Sequence, residues 1–197
     1  MANKFDEKAK HYDSPEQLAL AEHFTKVIRS LLDGYQIDTI VDYGGGTGNL
    51  ALGLADLAEK IILTDISQAM LDQAKQKIEA AGHTHITTQL VDETNKSIKD
   101  AYDLLLISLV LHHVPDYKDL LEELFVTLND NGQFIMIDFY QDLEANYSGF
   151  DLDLLAKELE SLGLKTVTKE LIIEGDALFM RPQGKAFILQ AIKTTQL

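Results

Sequence analysis

"VDYGGGTGN", residues 41–49, places four glycines in five positions, with Asp42 two residues before the first of them. Glycine at that density costs conformational entropy, so it marks a tight turn with positive φ or a main chain that something must touch. The apolar run "DTIVDY" (38–43) reads as a buried strand, and Leu50, Leu54, Leu57 and Ala58 repeat at the spacing of a helix face. The glycines therefore join a strand to a helix. In an α/β sheet that turn, beyond the carboxyl end of the strand, is where ligands bind.

Outward from this loop the chain alternates. Upstream, "SPEQ" predicts a helix capped by Ser14, with Pro15 at its first position, carrying Leu18, Phe24, Ile28, Leu31 and Leu32 inward and ending at Gly34. Downstream come a strand "KIILTD" (60–65), a helix capped by Ser67 with Met70, Leu71, Ala74, Ile78 and Ala81 on its apolar side, and a strand "HITTQLV" (85–91). "AYDLLLISLVL" (101–111) holds a fourth strand and Asp116 begins a helix carrying Leu120, Leu121, Leu124, Phe125 and Leu128. "NDNG" (129–132) closes that helix and "QFIMIDFY" (133–140) is the fifth strand. A helix with Leu152, Leu155, Leu159 and Leu162 inward ends at Gly163, and the runs 165–174 and 185–193 finish the chain. With no helical pattern between them, these last two strands pair antiparallel. The expected architecture is a seven-stranded α/β sheet, mainly parallel, with an antiparallel C-terminal edge. No repeat or linker divides it, so residues 1–197 read as one domain: an N-terminal lid and helix (1–34), a core (37–140), and a C-terminal helix with an antiparallel strand pair (141–197).

Composition narrows the function. The net charge of −15, from 17 basic against 32 acidic residues, argues against a nucleic-acid surface and disfavours an anionic substrate. The absence of cysteine excludes thiolate chemistry and a disulfide framework, and suits a reducing cytoplasm. No run approaches the roughly 20 apolar residues of a membrane span, and the N-terminus has no apolar signal core. We expect a soluble cytoplasmic protein whose oligomeric state the sequence leaves open.

A second ligand-facing group lies at Asp65, which ends the second strand 19 residues beyond Gly46, where a carboxylate accepts hydrogen bonds from both hydroxyls of an adenosine ribose. Ser67 already supplies the following helix cap. "GTGNLA" (46–51) also matches the G-x-G-x-x-A variant of the dinucleotide fingerprint, which keeps an NAD(P)-dependent oxidoreductase open. Against it, Asp42 would repel a pyrophosphate but attract, directly or through water, the ammonium of an amino-acid moiety. Asp92, ending the third strand, is placed to accept from an adenine amino group. The chain also lacks a Tyr-x-x-x-Lys pair for hydride chemistry.

Together "VDYGGGTGNLALGLA", "ILTDISQAMLDQAKQK", "VDETN" and "YDLLLISLVLHHVPDYKDLLEELFVTLNDNGQFIMIDF" resemble the class I S-adenosylmethionine-dependent methyltransferases, a Rossmann-like, doubly wound family. They are most similar to the small-molecule branch that includes the quinone-biosynthesis methyltransferases. The resemblance runs from about residue 37 to 140, and "FDEKAKHYD" (5–13) is similar to the family's N-terminal covering segment. It implies that Gly44, Gly46 and Gly48 embrace the methionine part of S-adenosylmethionine, with Asp42 supporting the loop. It implies further that Asp65 holds the ribose, Ile66 lies against the adenine, and Asp92 binds the exocyclic amine with the Glu93 backbone nearby. Ser108 and Leu109 would offer a backbone carbonyl to the cofactor's amino group, and Tyr12 would fold over the site.

Methyl transfer from a sulfonium needs alignment more than a reactive side chain, and a base only where the acceptor must lose a proton. His112 and His113, directly after the fourth strand, are the histidine pair able to act as that base; packing and shaping of the turn before Pro115 is the other reading, and replacing His113 by Ala or Asn separates the two. No His/Asp/Glu cluster with ligand spacing accompanies the pair, so no metal is expected. Tyr140, Tyr147, Phe150, Phe179 and Arg181 are candidate pocket residues, and the short 140–150 stretch points to a small acceptor. A noncatalytic protein that binds S-adenosylmethionine or S-adenosylhomocysteine stays open, because methyl transfer demands no signature base.

Overall fold

The computed structural model describes residues 4–92, 95–141, 149–175 and 184–195. Its elements are α1 (Lys4–Ala9), α2 (Pro15–Leu31), β1 (Thr39–Tyr43), α3 (Asn49–Gly53), β2 (Lys60–Asp65), α4 (Gln68–Ala80), β3 (Ile86–Leu90), β4 (Tyr102–Ser108), α5 (Tyr117–Thr127), β5 (Leu128–Phe139), α6 (Leu152–Ser161), β6 (Leu164–Gly175) and β7 (Gly184–Lys193), with a 3₁₀ turn at Leu111–His113. The strands form one mostly parallel seven-stranded sheet in the order β3-β2-β1-β4-β5-β7-β6. The expected α/β class is borne out. β7 runs antiparallel to both β5 and β6, and β6 and β3 are the two edge strands. The chain divides into two compact units, Met1–Leu105 and Leu106–Leu197.

In the first unit β1, β2 and β3 pair in parallel, and the apolar faces of β1 and β2 are buried completely at Ile40, Val41, Ile61 and Leu63. Such strands read as continuous apolar runs because both faces are covered. The helix caps form as their residues dictate. Ser14 Oγ accepts from the Gln17 N–H at 3.3 Å, and Ser67 Oγ accepts from the Met70 N–H at 3.2 Å. On α2 the inward face is Phe24, Ile28 and Leu32, whereas Leu18, expected inward, is 45% exposed. The helix after the glycine loop is a five-residue turn, shorter than its apolar stripe predicts, because Leu54 already leaves helical geometry at φ −110°.

The second unit holds α5, whose Leu120, Leu121, Leu124 and Phe125 are all buried as the periodicity predicts. Lys193 Nζ donates to the Phe125 and Leu128 carbonyls, satisfying the end of that helix with a cation where the helix dipole favours one. The predicted turn at 129–132 is counted within β5, but the ladder to β7 covers only Gln133–Phe139, and Asn131 takes a left-handed φ of 61°. The residues there are turn formers in local conformation even though they extend the strand. α6 starts at Asp151, whose Oδ1 accepts from the Asp153 and Leu154 N–H groups.

Candidate functional site

The glycine loop fills the end of β1 and β2 in the first unit. Gly44, Gly46 and Gly48 have φ of 74°, 57° and 80°, a left-handed region that side chains with a Cβ occupy only at a cost. Their N–H groups do not point outward as free donors. Gly44 donates to Thr64 Oγ1 (3.4 Å), Gly45 to the Thr64 carbonyl (2.9 Å), Gly46 to Asp65 Oδ2 (2.9 Å) and Gly48 to the Gly45 carbonyl (3.0 Å). The loop therefore offers a ligand its bare Cα surface and leaves the backbone donors to hold its shape. Gly48 has a further packing reason: a Cβ there would lie 3.0 Å from Leu63 Cδ1 and 3.2 Å from Ala74 Cβ.

Asp42 lies under this loop, fully buried, and neither carboxylate oxygen has a hydrogen-bond partner among the described residues. Burial first, then the charge of Asp65, pushes its carboxyl up to about 7, and the Ala51 N–H, outside hydrogen-bonding geometry, offsets only part of the rise. Gly45 is what admits it, since a Cβ on that residue would come within 2.5 Å of Asp42 Oδ2. Sequence reasoning named the three flanking glycines and passed over Gly45. Nothing in the one-dimensional pattern tells which glycine sits on the carboxylate.

Asp65 ends β2 at 8% exposure. Oδ2 accepts from the Gly46 N–H and Oδ1 from the Ser67 N–H at 2.8 Å, and the Ile66 N–H is a third backbone donor to the same carboxylate, so much of its acceptor capacity is already used. Burial raises its pKa, while the N–H groups of Ser67, Gly46 and Ile66 work against the rise. Ile66 beside it is half exposed, an apolar side chain left open next to the carboxylate. Asp92 is exposed and accepts from the Asn95 N–H at 2.9 Å within its own turn. Glu93 lies outside the described residues, as do the pocket candidates Tyr147, Phe179 and Arg181.

The N-terminal segment belongs to the same unit. The Tyr12 ring lies over Gly46, with Cε1 3.7 Å from where a Cβ would stand. Burial raises the Tyr12 pKa most, and Asp65, Asp13 and Asp42 raise it further, so this phenol stays neutral over a patch of carboxylates.

In the second unit Ser108 is the last residue of β4, and Leu109 follows in a left-handed conformation, φ 57°, with its N–H donating to the Ile137 carbonyl at 2.8 Å. A leucine in that region is a local cost tolerated where the surroundings impose it. The two histidines part company. His112 Nδ1 lies 2.8 Å from Oδ1 of the fully buried Asp138, whose carboxylate also accepts the His112 N–H (3.3 Å) and the Phe139 N–H (2.8 Å). His112 packs edge-on to Phe139, while His113 is exposed with its ring 3.9 Å from that of His112. Asp138 was invisible as a functional candidate because it sits inside the apolar run "QFIMIDFY", where a single acid reads as a strand residue. Among the described residues no group of three or more His, Cys, Asp or Glu is arranged to hold a metal, and no helix is long and apolar enough to cross a membrane.

Comparison with known proteins follows the same lines. Residues 41–134 match the methyltransferase domain family. The chain is 32% identical over 99 residues to the tRNA 5-carboxymethoxyuridine methyltransferase of Escherichia coli K12, a match covering 47% of this chain and only 37% of that relative. It is 28% identical over 181 residues to the ubiquinone/menaquinone biosynthesis C-methyltransferase UbiE of Neisseria meningitidis serogroup A, covering 82% of this chain and 72% of the relative. In three dimensions it superimposes on the magnesium protoporphyrin IX methyltransferase of Synechocystis PCC 6803, solved with bound SAH, with a TM-score of 0.74 at 16% identity, over 96% of this chain and 94% of the other.

Proposed function

The chain belongs to the class I S-adenosylmethionine-dependent methyltransferases, and from that premise we propose that it transfers a methyl group from S-adenosylmethionine to a small-molecule acceptor. The observation that carries the reading is the Asp42 carboxylate, fully buried under the glycine loop with no hydrogen bond of its own among the described residues and with Asp65 adjacent. A buried carboxyl of this kind gains from a cation above it, as a methionine ammonium is, and opposes a pyrophosphate. The five-residue α3, too short for a strong helix dipole, and the consumed loop N–H groups weigh the same way against a dinucleotide.

On this reading the bare Cα atoms of Gly44, Gly46 and Gly48 accommodate the methionine part, Asp65 accepts from the ribose hydroxyls, and Ile66 covers one adenine face. Asp92 receives the exocyclic amine once its turn admits it, with Glu93 beside it, and the Ser108–Leu109 backbone holds the ammonium. Tyr12 closes over the loop. The bound cofactor supplies an electrophilic methyl carbon on a sulfonium. The protein's share is then to align the acceptor and, where the acceptor is a phenol, enol or carbon acid, to take its proton. His112 is the base in this scheme, because Asp138 holds its Nδ1 side and leaves Nε2 for the acceptor. His113, exposed beside it, shapes the turn.

The acidic balance of the chain favours a neutral or cationic small acceptor over a tRNA, whose phosphates it would repel. The whole chain is read as one methyltransferase domain, since β4 belongs to both compact units. A cytoplasmic location belongs to the same proposal. Calorimetric titration with S-adenosylhomocysteine and, separately, NAD tests the cofactor: micromolar binding of the first, none of the second, and loss of affinity in Asp65→Ala are expected. Tight NAD binding without the thioether would overturn it. With a panel of phenols and hydroquinones as acceptors, His112→Asn should lower turnover by about a hundredfold while His113→Asn leaves it essentially unchanged. A panel with binding but no methylation would favour a noncatalytic cofactor-binding protein.

A further inference from the structure

The N-terminal segment is fastened by two of its carboxylates, one to the cap of α4 and one to the glycine loop and its surroundings. Asp6, on α1, accepts from Ser67 Oγ at 2.5 Å, tying that helix to the cap of α4. Asp13 is bound more extensively. Its Oδ1 accepts from Thr47 Oγ1 (2.6 Å) and Asn49 Nδ2 (2.9 Å), and its Oδ2 accepts from Lys77 Nζ (2.8 Å), which also donates to Asn49 Oδ1 (2.7 Å). Thr47 lies within the glycine loop, Asn49 starts α3 and Lys77 is in the last turn of α4. Immediately before Asp13 comes Tyr12, whose ring covers Gly46.

We propose that Asp13, with Thr47, Asn49 and Lys77, is a latch that holds the Tyr12 segment over the glycine loop, and that opening of this latch gates exchange of the cofactor. The inference rests on the S-adenosylmethionine reading above. Lys77 and Asp13 keep 30% and 25% of their side-chain surface in water, so their pair is partly screened and able to open. Burial alone would raise the Asp13 pKa, yet the hydrogen bonds from Lys77, Thr47 and Asn49 outweigh it and hold the carboxyl low, keeping the latch charged at neutral pH.

A latch made wholly of protein groups has a kinetic signature. Its bonds are formed without ligand and none needs to change when ligand sits beneath, so weakening them destabilises the closed state equally in both cases. Association and dissociation then accelerate together and the equilibrium affinity stays put. Tyr12 differs, because it faces the ligand: removing it weakens affinity through dissociation alone.

Stopped-flow kinetics with S-adenosylhomocysteine on the full chain test this. Asp13→Asn and Lys77→Met should each speed both association and dissociation by about tenfold, the rate equivalent of one hydrogen bond to a charged group. The affinity should stay within about threefold, and the double variant should add little to either single one, since both break one network. Salt at about 0.5 M should accelerate exchange in the wild type more than in either variant. Unchanged rates, or an affinity weakened through dissociation alone, overturn the gate. Hydrogen exchange on the ligand-free protein reads the latch directly: amides of residues 4–13 should exchange about tenfold faster in Asp13→Asn, and unchanged protection there overturns the latch whatever the ligand does. A wild-type chain that does not bind the thioether overturns the cofactor reading and the gate with it; a wild type that binds, with variants exchanging at its rates, overturns the gate alone.

Discussion

Asp42 and Asp138 are each the penultimate residue of a core strand, β1 and β5, and each is fully buried. Asp138 gathers three donors, from the His112 ring, the His112 backbone and the Phe139 backbone. Asp42 has no hydrogen bond among the described residues and a second carboxylate nearby. Burial of a carboxylate is costly unless donors replace water, so the same side chain in like positions is complete in one region and unsatisfied in the other. A buried acid with its own donors organises the protein around it. A buried acid without them stays a local cost, which is why the cofactor proposal is built on Asp42.

The largest expected effect separates the two by pH. The Asp42 carboxyl titrates near 7 in the folded chain against 3.8 unfolded, so between those values the folded state binds more protons and stability falls as pH rises. The contribution is fully present below about pH 4 and lost above about pH 7, on the order of 4 kcal/mol for a shift of this size. Asp42→Asn should match the wild type below about pH 4 and exceed it in urea midpoint at pH 8. Parallel stability–pH curves for the two proteins would show that Asp42 is not the strained group. Asp138→Ala should do the opposite and lower stability by about 3 kcal/mol at neutral pH, because buried N–H donors lose their acceptor. A neutral outcome there would erase the contrast.

Smaller effects sharpen the account of the loop. Gly48→Ala should cost about 2 kcal/mol, from a left-handed backbone and a Cβ pressed against Leu63 and Ala74, read as a lowered melting temperature. Least of all should be Asp56→Asn. Arg29 holds the Asp56 carboxyl at about 2 by a two-pronged hydrogen bond, 2.7 Å on each arm, but the pair is exposed. Its loss should cost below about 1 kcal/mol and vanish in high salt. A larger cost would mean that charge pairing on this surface matters as much as burial beneath the loop.

Several site features were legible in one dimension because their signals are local. A glycine run between an apolar strand and a helical stripe announces the loop, Asp65 is legible as the carboxylate that ends β2, and Ser14 and Ser67 announce their helices within three residues. The histidine pair was visible as a pair, but the bond between His112 and Asp138 was not, since Asp138 lies 26 residues further along inside an apolar strand. The latch was beyond reach for the same reason. Asp13 meets partners 34, 36 and 64 residues away, and nothing in the local pattern of Thr47, Asn49 or Lys77 distinguishes them from ordinary polar surface.

By itself, then, the amino-acid sequence determined the order of strands and helices, the α/β class and the place of the glycine loop, because hydrophobic period, caps and glycine conformations act over a few neighbouring residues. Only the tertiary structure decided that the Gly44, Gly45 and Gly46 N–H groups are spent on β2, that Gly45 makes room for an unsatisfied Asp42, that Asp138 anchors His112 and that Asp13 fastens the Tyr12 segment beside Gly46. Each of these depends on which polar atoms meet when distant segments pack, and on how much water that packing removes.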